Sequence, residues 1–213
     1  YDYKVLSVDP SGKGSDEVGV SIIYHLNSKI FIKKVTGLTG GFEDETLQTI
    51  ANLCSIHGIN SLLVEENWGG GTYTKMLRPF IEGISPLTEI VEINVKGQKE
   101  VRIIEALEPM LNQHRVVIDR EVFVDDLTAS KRDYSFTYQF SHITKERDCL
   151  KHDDRLDSLA NAILHMLEFM TDDAERGMEY HMEKEAQATL DFTLKHFSGI
   201  NRHKSHANYG RRF

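Results

Sequence analysis

A mixed α/β sheet flanked by helices, followed by a charged C-terminal extension, is what this 213-residue sequence predicts. Three patterns carry that expectation. Two β-rich stretches, 18–25 and 29–35, are separated by Asn27-Ser28 and read as a hairpin. Helical and strand-like periods then alternate from about residue 45 to 118. Last, residues 153–169 place Leu156, Leu159, Ala160, Ile163, Leu164 and Leu167 on one helical face, the clearest amphipathic helix in the chain.

The elements follow in order. Residues 4–8 form a first strand and run into Pro10-Ser11-Gly12-Lys13-Gly14, a loop by composition. The spacing of Leu47, Ile50, Ala51, Leu53 and Cys54 predicts a helix over 45–57, stopped by Gly58. Residues 61–65 are a short apolar strand, followed by Gly69-Gly70-Gly71 and a helix over 73–82. A strand over 89–95, a helix over 99–113 interrupted at Pro109, and a strand over 116–118 complete the alternation. Between Glu121 and Thr144 the alternating Tyr134, Phe136, Tyr138 and Phe140 fit a strand or hairpin arm. No internal repeat is present.

With 40% apolar and 27% charged residues the chain has the composition of a soluble globular domain, large enough for one substantial core. No apolar run approaches the ~20 residues that span a bilayer. No signal peptide opens the chain, and a start in a strand without Met suggests a fragment of a longer polypeptide. Cys54 and Cys149 sit in no metal spacing, which argues against a disulfide framework and for a reducing compartment. The net charge of −8 argues against a simple high-affinity nucleic-acid binder, because phosphate neutralisation dominates such binding. It does not exclude a nuclease, whose metal-holding carboxylates count as negative. Residues 172–191 hold seven acids against Arg176 and Lys184, whereas 192–213 hold none against Lys195, Arg202, Lys204, Arg211 and Arg212. That shift sets the expected division, a compact domain over 1–171 and a charged, partly helical tail over 172–213.

Three acidic segments carry the functional signal: Val8-Asp9-Pro10, Val64-Glu65-Glu66-Asn67 and His152-Asp153-Asp154. Each carboxylate stands at the edge of an apolar segment, where an unpaired buried charge costs several kcal/mol. Taken singly, Asp9 is a turn residue, Glu65 and Glu66 a solvated turn, and Asp153 and Asp154 helix-capping acids. Asp157 lies one turn further on the same helical face, as a secondary partner or an exposed charge. If the segments meet, the like charges require divalent cations, and an oxygen-only donor set favours Mg²⁺ or Mn²⁺ over zinc. Two such ions are the apparatus of in-line phosphodiester cleavage.

Other motifs are weaker. Gly12-Lys13-Gly14-Ser15 lacks the full phosphate-loop pattern. Gly69-Gly70-Gly71 suits a phosphate cradle or a tight turn. Ser7 and Ser11 stand in no hydrolase elbow, and the ten histidines are scattered. Lys96, Lys99 and Arg102 make one basic edge; Lys131, Arg132, Lys145 and Arg147 flank the aromatic stretch, and all are candidate phosphate contacts.

At VDPSG, LLVEENWGGG, KGQKEVRIIEALEPML, HRVVID and HDDRLDSLANAI the chain resembles the nuclease domain of the large terminase subunit of tailed double-stranded DNA bacteriophages, short-tailed phages in particular. The resemblance covers residues 4–170 and implies an RNase H-like fold. It also implies metal-dependent endonucleolytic cleavage of concatemeric viral DNA during packaging, in the host cytoplasm. Asp9 matches the first catalytic acid, Glu65 the second, and the last falls within Asp153-Asp154. Asp9 is then expected to bridge two Mg²⁺ or Mn²⁺ ions, with Glu65 and Asp154 or Asp153 holding one each. Implied partners are double-stranded DNA, a terminase ATPase domain missing from this chain, the portal and the small terminase subunit. The alternatives are a resolvase or ribonuclease H of the same fold, or a catalytically silent module that binds DNA or the portal.

Overall fold

Asn27 and Ser28 both have positive φ, 50° and 61°, the twin left-handed values that a two-residue hairpin turn requires. They join β2 (Val18–Leu26) to β3 (Lys29–Leu38) as antiparallel neighbours. In this computed structural model the described residues are 1–10, 17–66, 71–128 and 131–200. Ser11, Gly12, Lys13, Gly14, Ser15, Asn67, Gly69, Gly70 and the basic end of the tail from Asn201 onward lie outside them.

The hairpin extends into a six-stranded mixed sheet. β1 (Tyr3–Asp9) pairs antiparallel with β2 and parallel with β4 (Ser61–Glu65). β5 (Glu89–Ile93) runs parallel to β4, and β6 (Val116–Ile118) runs parallel to β3, giving the order β5-β4-β1-β2-β3-β6. This is the predicted mixed sheet, with each strand within a few residues of its expected bounds. Alternation along the strands sorts side chains onto two faces. Leu6, Val8, Val20, Ile22, Tyr24, Leu62 and Val64 form one buried face with Leu47, Ile50 and Cys54 of α1 (Asp44–His57) and Leu77 and Ile81 of α2 (Thr72–Ile84). Gly58, in the left-handed region at φ 60°, ends α1 and donates to the Cys54 and Ser55 carbonyls.

The opposite face receives the start of α6 (Asp154–Ile200). A Cβ on Gly19 would stand 2.1 Å from the Asp154 carbonyl oxygen, so glycine is what lets the helix start sit on β2. Ser21 and Ser158 hydroxyls meet at 2.6 Å one turn on. Arg155 is buried, and its Nε and NH2 donate to Glu17 Oε2 at 3.0 and 2.8 Å while NH1 donates to Asp126 at 3.3 Å. Gly37 makes room for Glu17, since a Cβ there would fall 1.7 Å from Glu17 Oε2.

Two local expectations are corrected. Residues 134–140 are not a strand: Arg132–Tyr134 is a 3-10 turn and α5 (Phe136–His142) follows α4 (Arg120–Thr128), with α3 (Lys99–Asn112) earlier in the chain. Ser135 caps α5 by accepting from the Tyr138 amide, and Asp126 accepts from Ser135 Oγ and from the Phe136 and Thr137 amides. Burial alone would raise the Asp126 carboxyl; the hydrogen bonds outweigh it and hold the group below its ordinary value. The period-2 aromatics are thus overruled by a cap, with Phe136 and Gln139 buried at helical spacing. Nor does Pro109 interrupt α3. It lies inside the helix on the exposed side, as does Glu105 four residues earlier.

The chain divides into two compact units, Tyr1–Glu168 and Phe169–Phe213. In the second, the backbone through Ile200 continues the α6 helix, well beyond the expected end at Phe169. Its described side chains from Thr171 to Lys195 are exposed.

Glycine substitutions test the seating of α6. Gly19→Ala should destabilise the domain by about 1–3 kcal/mol through overpacking. Gly83→Ala, in α2 with open space around it, should stabilise by about 0.5–1 kcal/mol. Urea unfolding of both variants checks the opposite signs.

Candidate metal centre

Strand register alone brings two acids together. Val8 is level with Val64 in the parallel β1–β4 pair, so Asp9 and Glu65, each the next residue, emerge side by side at the same end of adjacent strands. Both follow the alternation onto the face that α6 covers. Asp157, in the first turn of α6, completes the group: one ligand oxygen from each of Asp9, Glu65 and Asp157 lies within 4.8 Å of the others. Asp157 is only 2% exposed and Glu65 7%.

Cations from α3 balance these charges. Lys99 Nζ lies 3.1 Å from Asp157, 2.9 Å from Asp153 and 3.7 Å from Asp9, and Arg102 NH2 donates to Asp157 Oδ1. Burial pushes the Asp9 carboxyl well above its ordinary value; Lys99 opposes this, while Asp157, Glu65 and Asp154 add to it. Glu65 is raised for the same reasons, burial first and Asp157 next, against Arg102, Lys99 and the hydrogen bond from Asn161. Burial would lower Lys99, but the surrounding carboxylates outweigh it and hold the ammonium protonated. Asn161 Nδ2 donates to Glu65 Oε2 at 3.1 Å and fixes that carboxylate from the helix side. Among the described residues its Oδ1 and the Ser7 hydroxyl are buried without a hydrogen-bond partner. An all-carboxylate donor set with two protonation-prone members fits a hard divalent cation.

The sequence-predicted acids do not all share this position. Asp153 Oδ1 takes Lys99, and Asp154 opens α6 over Gly19, close enough for its charge to raise Asp9. Glu66 turns outward: its amide donates to the Ile93 carbonyl, and its side chain accepts from Asn94 at 3.5 Å. Of the basic residues, Lys99 and Arg102 face the carboxylates, while Lys96, Lys131, Arg132, Lys145 and Arg147 are exposed. Gly71 caps α2 at φ 76° beside Glu92. Asn161 and Arg155 were not anticipated. Their signal is polar residues at the buried positions of an otherwise apolar helical face.

Solved structures share this arrangement of sheet and helices. The nuclease domain of the large terminase subunit gp2 of bacterial virus Sf6 superposes with a TM-score of 0.54 at 12% identity, over 76% of this chain and 87% of that one. The Mn-soaked human cytomegalovirus terminase nuclease domain gives 0.52 at 16% identity, over 76% and 83%. At these identities the likeness is one of fold: a mixed sheet flanked by helices. The particular family follows from the sequence. The model for the bacteriophage T7 terminase ribonuclease H-like domain matches residues 8–116, and the chain belongs to that family. The match spans Asp9, Glu65, Lys99 and Arg102 and stops before Asp157. The large terminase subunit of Enterobacteria phage T3 is 33% identical over 86% of this chain, which spans 34% of that protein's length. Among the described residues no helix is long and apolar enough to cross a membrane.

The raised carboxyls set a pH dependence for the metal-free domain. The folded state holds protons on Asp9 and Glu65 that the unfolded chain releases near 3.8 and 4.5. Their contribution is therefore fully present in acid and is lost as pH rises through the raised values. In EDTA, Asp9→Asn should raise the Tm by about 2–4 °C on the alkaline side, roughly 1 kcal/mol, and by less at pH 4. Thermal melts from pH 4 to 9 measure the difference.

Proposed function

We propose that this domain is a divalent-metal-dependent endonuclease that cuts double-stranded DNA during viral genome packaging, with Asp9, Glu65 and Asp157 as the carboxylates that hold two Mg²⁺ or Mn²⁺ ions. The observation that carries the reading is the convergence of those three buried acids from β1, β4 and α6 within 4.8 Å. Membership of the terminase family supports DNA as the substrate, and a relative of the same fold has been soaked with Mn. When bound, such ions lower the pKa of an attacking water and stabilise charge developing on the leaving 3′ oxygen.

The protein's own contribution is orientation and charge balance. Asp9, Glu65 and Asp157 would hold the ions through one carboxylate oxygen each. Asn161 aims Glu65, and Arg102 aims Asp157. Asp153 and Asp154 are the outer acids: Asp153 anchors Lys99, and Asp154 adds negative potential at Asp9. Lys99 keeps the cluster tolerable before metal arrives.

Plasmid digestion in Mn²⁺, Mg²⁺ or EDTA tests this directly. Cleavage should require metal, and Asp157→Asn should reduce it by about 100-fold or more, the scale of losing one fixed electrostatic group in a site. Asp154→Asn should cost less. Cleavage that persists in EDTA, or that depends on Asp154 and not on Asp157, contradicts the assignment. Branched DNA and RNA–DNA hybrid, run beside linear duplex, separate the terminase reading from resolvase or ribonuclease H activity.

The C-terminal segment is either a partly ordered extension of the domain or, on the functional reading, a docking segment for the portal or another packaging component. Deleting residues 172–213 should leave metal-dependent cleavage by the domain intact and lower packaging by the complete motor. Loss of cleavage in a truncated but folded domain assigns the segment to the DNA path instead.

A further inference from the structure

A second feature ends one residue before Asp153. A cavity of about 470 Å³ is lined by Lys131, Arg132, Asp133, Tyr134, Lys151 and His152. It opens between the 3-10 turn and the segment leading into α6. Tyr134 and His152 stack with ring centroids 3.8 Å apart and planes at 20°, which ties the two walls together. His152 directly precedes Asp153, whose carboxylate holds Lys99 beside Asp9 and Asp157.

The charge of this cavity is unlike that of the cluster next to it. Three cations line it against one acid, in a chain of net charge −8. Lys131 Nζ stands 5.7 Å over the Tyr134 ring, and the Arg132 guanidinium 4.9 Å over the Tyr138 ring. Such cation–π contacts position a side chain without neutralising it. Lys151 meets Asp133 at 3.7 Å, but both side chains are largely exposed, at 74% and 48%, so that pair is weak. Lys99 and Arg102, by contrast, are committed to buried carboxylates.

We infer that this cavity is a phosphodiester-binding subsite for the DNA strand beside the cut, resting on the nuclease reading above. Lys131, Arg132 and Lys151 receive a backbone phosphate, and the Tyr134–His152 stack forms a wall against which the adjoining sugar packs. Phosphate contacts of this kind set register and orientation and carry no base information. The negative centre repels DNA, so a cationic pocket next to it supplies the attraction that holds the strand across the carboxylates. Cutting with little sequence preference and strong salt dependence follows.

The test uses the full chain, with a fluorescently labelled duplex and with inorganic phosphate as separate probes. Arg132→Ala/Lys151→Ala should weaken duplex binding in EDTA by about tenfold or more at low salt. It should also flatten the plot of log affinity against log salt by about one unit per cation removed. In Mn²⁺ the loss should appear as a raised KM. Lys75→Ala/Arg78→Ala, two exposed cations on α2, is the control and should change neither quantity. Inorganic phosphate should compete with duplex for the parent chain and not for the double variant. Unchanged duplex affinity and salt slope in the double variant overturn the subsite, as does a pocket that binds an acidic peptide while DNA affinity stays the same. The two readings fail separately. Intact metal-dependent cleavage with unaltered DNA binding removes the subsite alone. Altered DNA binding without any cleavage by the parent chain removes the nuclease reading alone.

Discussion

Bringing Asp157 to within 4.8 Å of Asp9 and Glu65 sets three like charges against one another, and much of the fold near them acts to hold that arrangement. Two of the acids are fixed by β1–β4 register, which cannot slip without turning Val8 and Val64 out of the core. The third depends on where α6 starts. Gly19 allows the helix start to lie directly on β2, and Ser21 and Ser158 lock the next turn. Arg155 pins the same turn to Glu17 and to Asp126, which also caps α5. Breaking one partner of such a buried ionic group typically costs about 3–5 kcal/mol, so the anchor is stiff.

Among the described residues the repulsion is opposed locally by Lys99 and Arg102, both from α3. Burial and the neighbouring acids still leave Asp9 and Glu65 easier to protonate than ordinary carboxylates. A site in this condition is destabilised for its own fold and receptive to divalent cations, whose binding to the folded state alone adds stability by mass action. On the proposed nuclease reading, activity and stability pull in opposite directions at Asp9. The adjacent cationic cavity extends the same electrostatic division, with acids at the strand ends and cations at the entrance to α6.

Much of the sheet was legible because local signals agreed with tertiary structure. Asn27-Ser28, the 61–65 apolar run and Gly58 each name an element by a mechanism that burial then reinforces. Asp9 and Glu65 were legible as strand-end acids. The place of Asp157 was not, since helix-start acids at Asp153, Asp154 and Asp157 look alike until β2 sets the helix's rotation through Gly19. Asn161, four residues on and polar within an apolar face, was missed with it. The aromatic stretch at 134–140 misled because period-2 spacing is shared by strands and by chance, while the deciding cap from Asp126 sits ten residues away from Phe136. Lys99 and Arg102 read as surface cations because sequence does not show which carboxylates a helix will face.

The most direct measurement of the metal centre is an anomalous difference map from crystals soaked in Mn²⁺. Peaks within coordinating distance of carboxylate oxygens of Asp9, Glu65 and Asp157 are the predicted result. Peaks held by Asp153 or Asp154 while Asp157 remains paired with Arg102 and Lys99 contradict it.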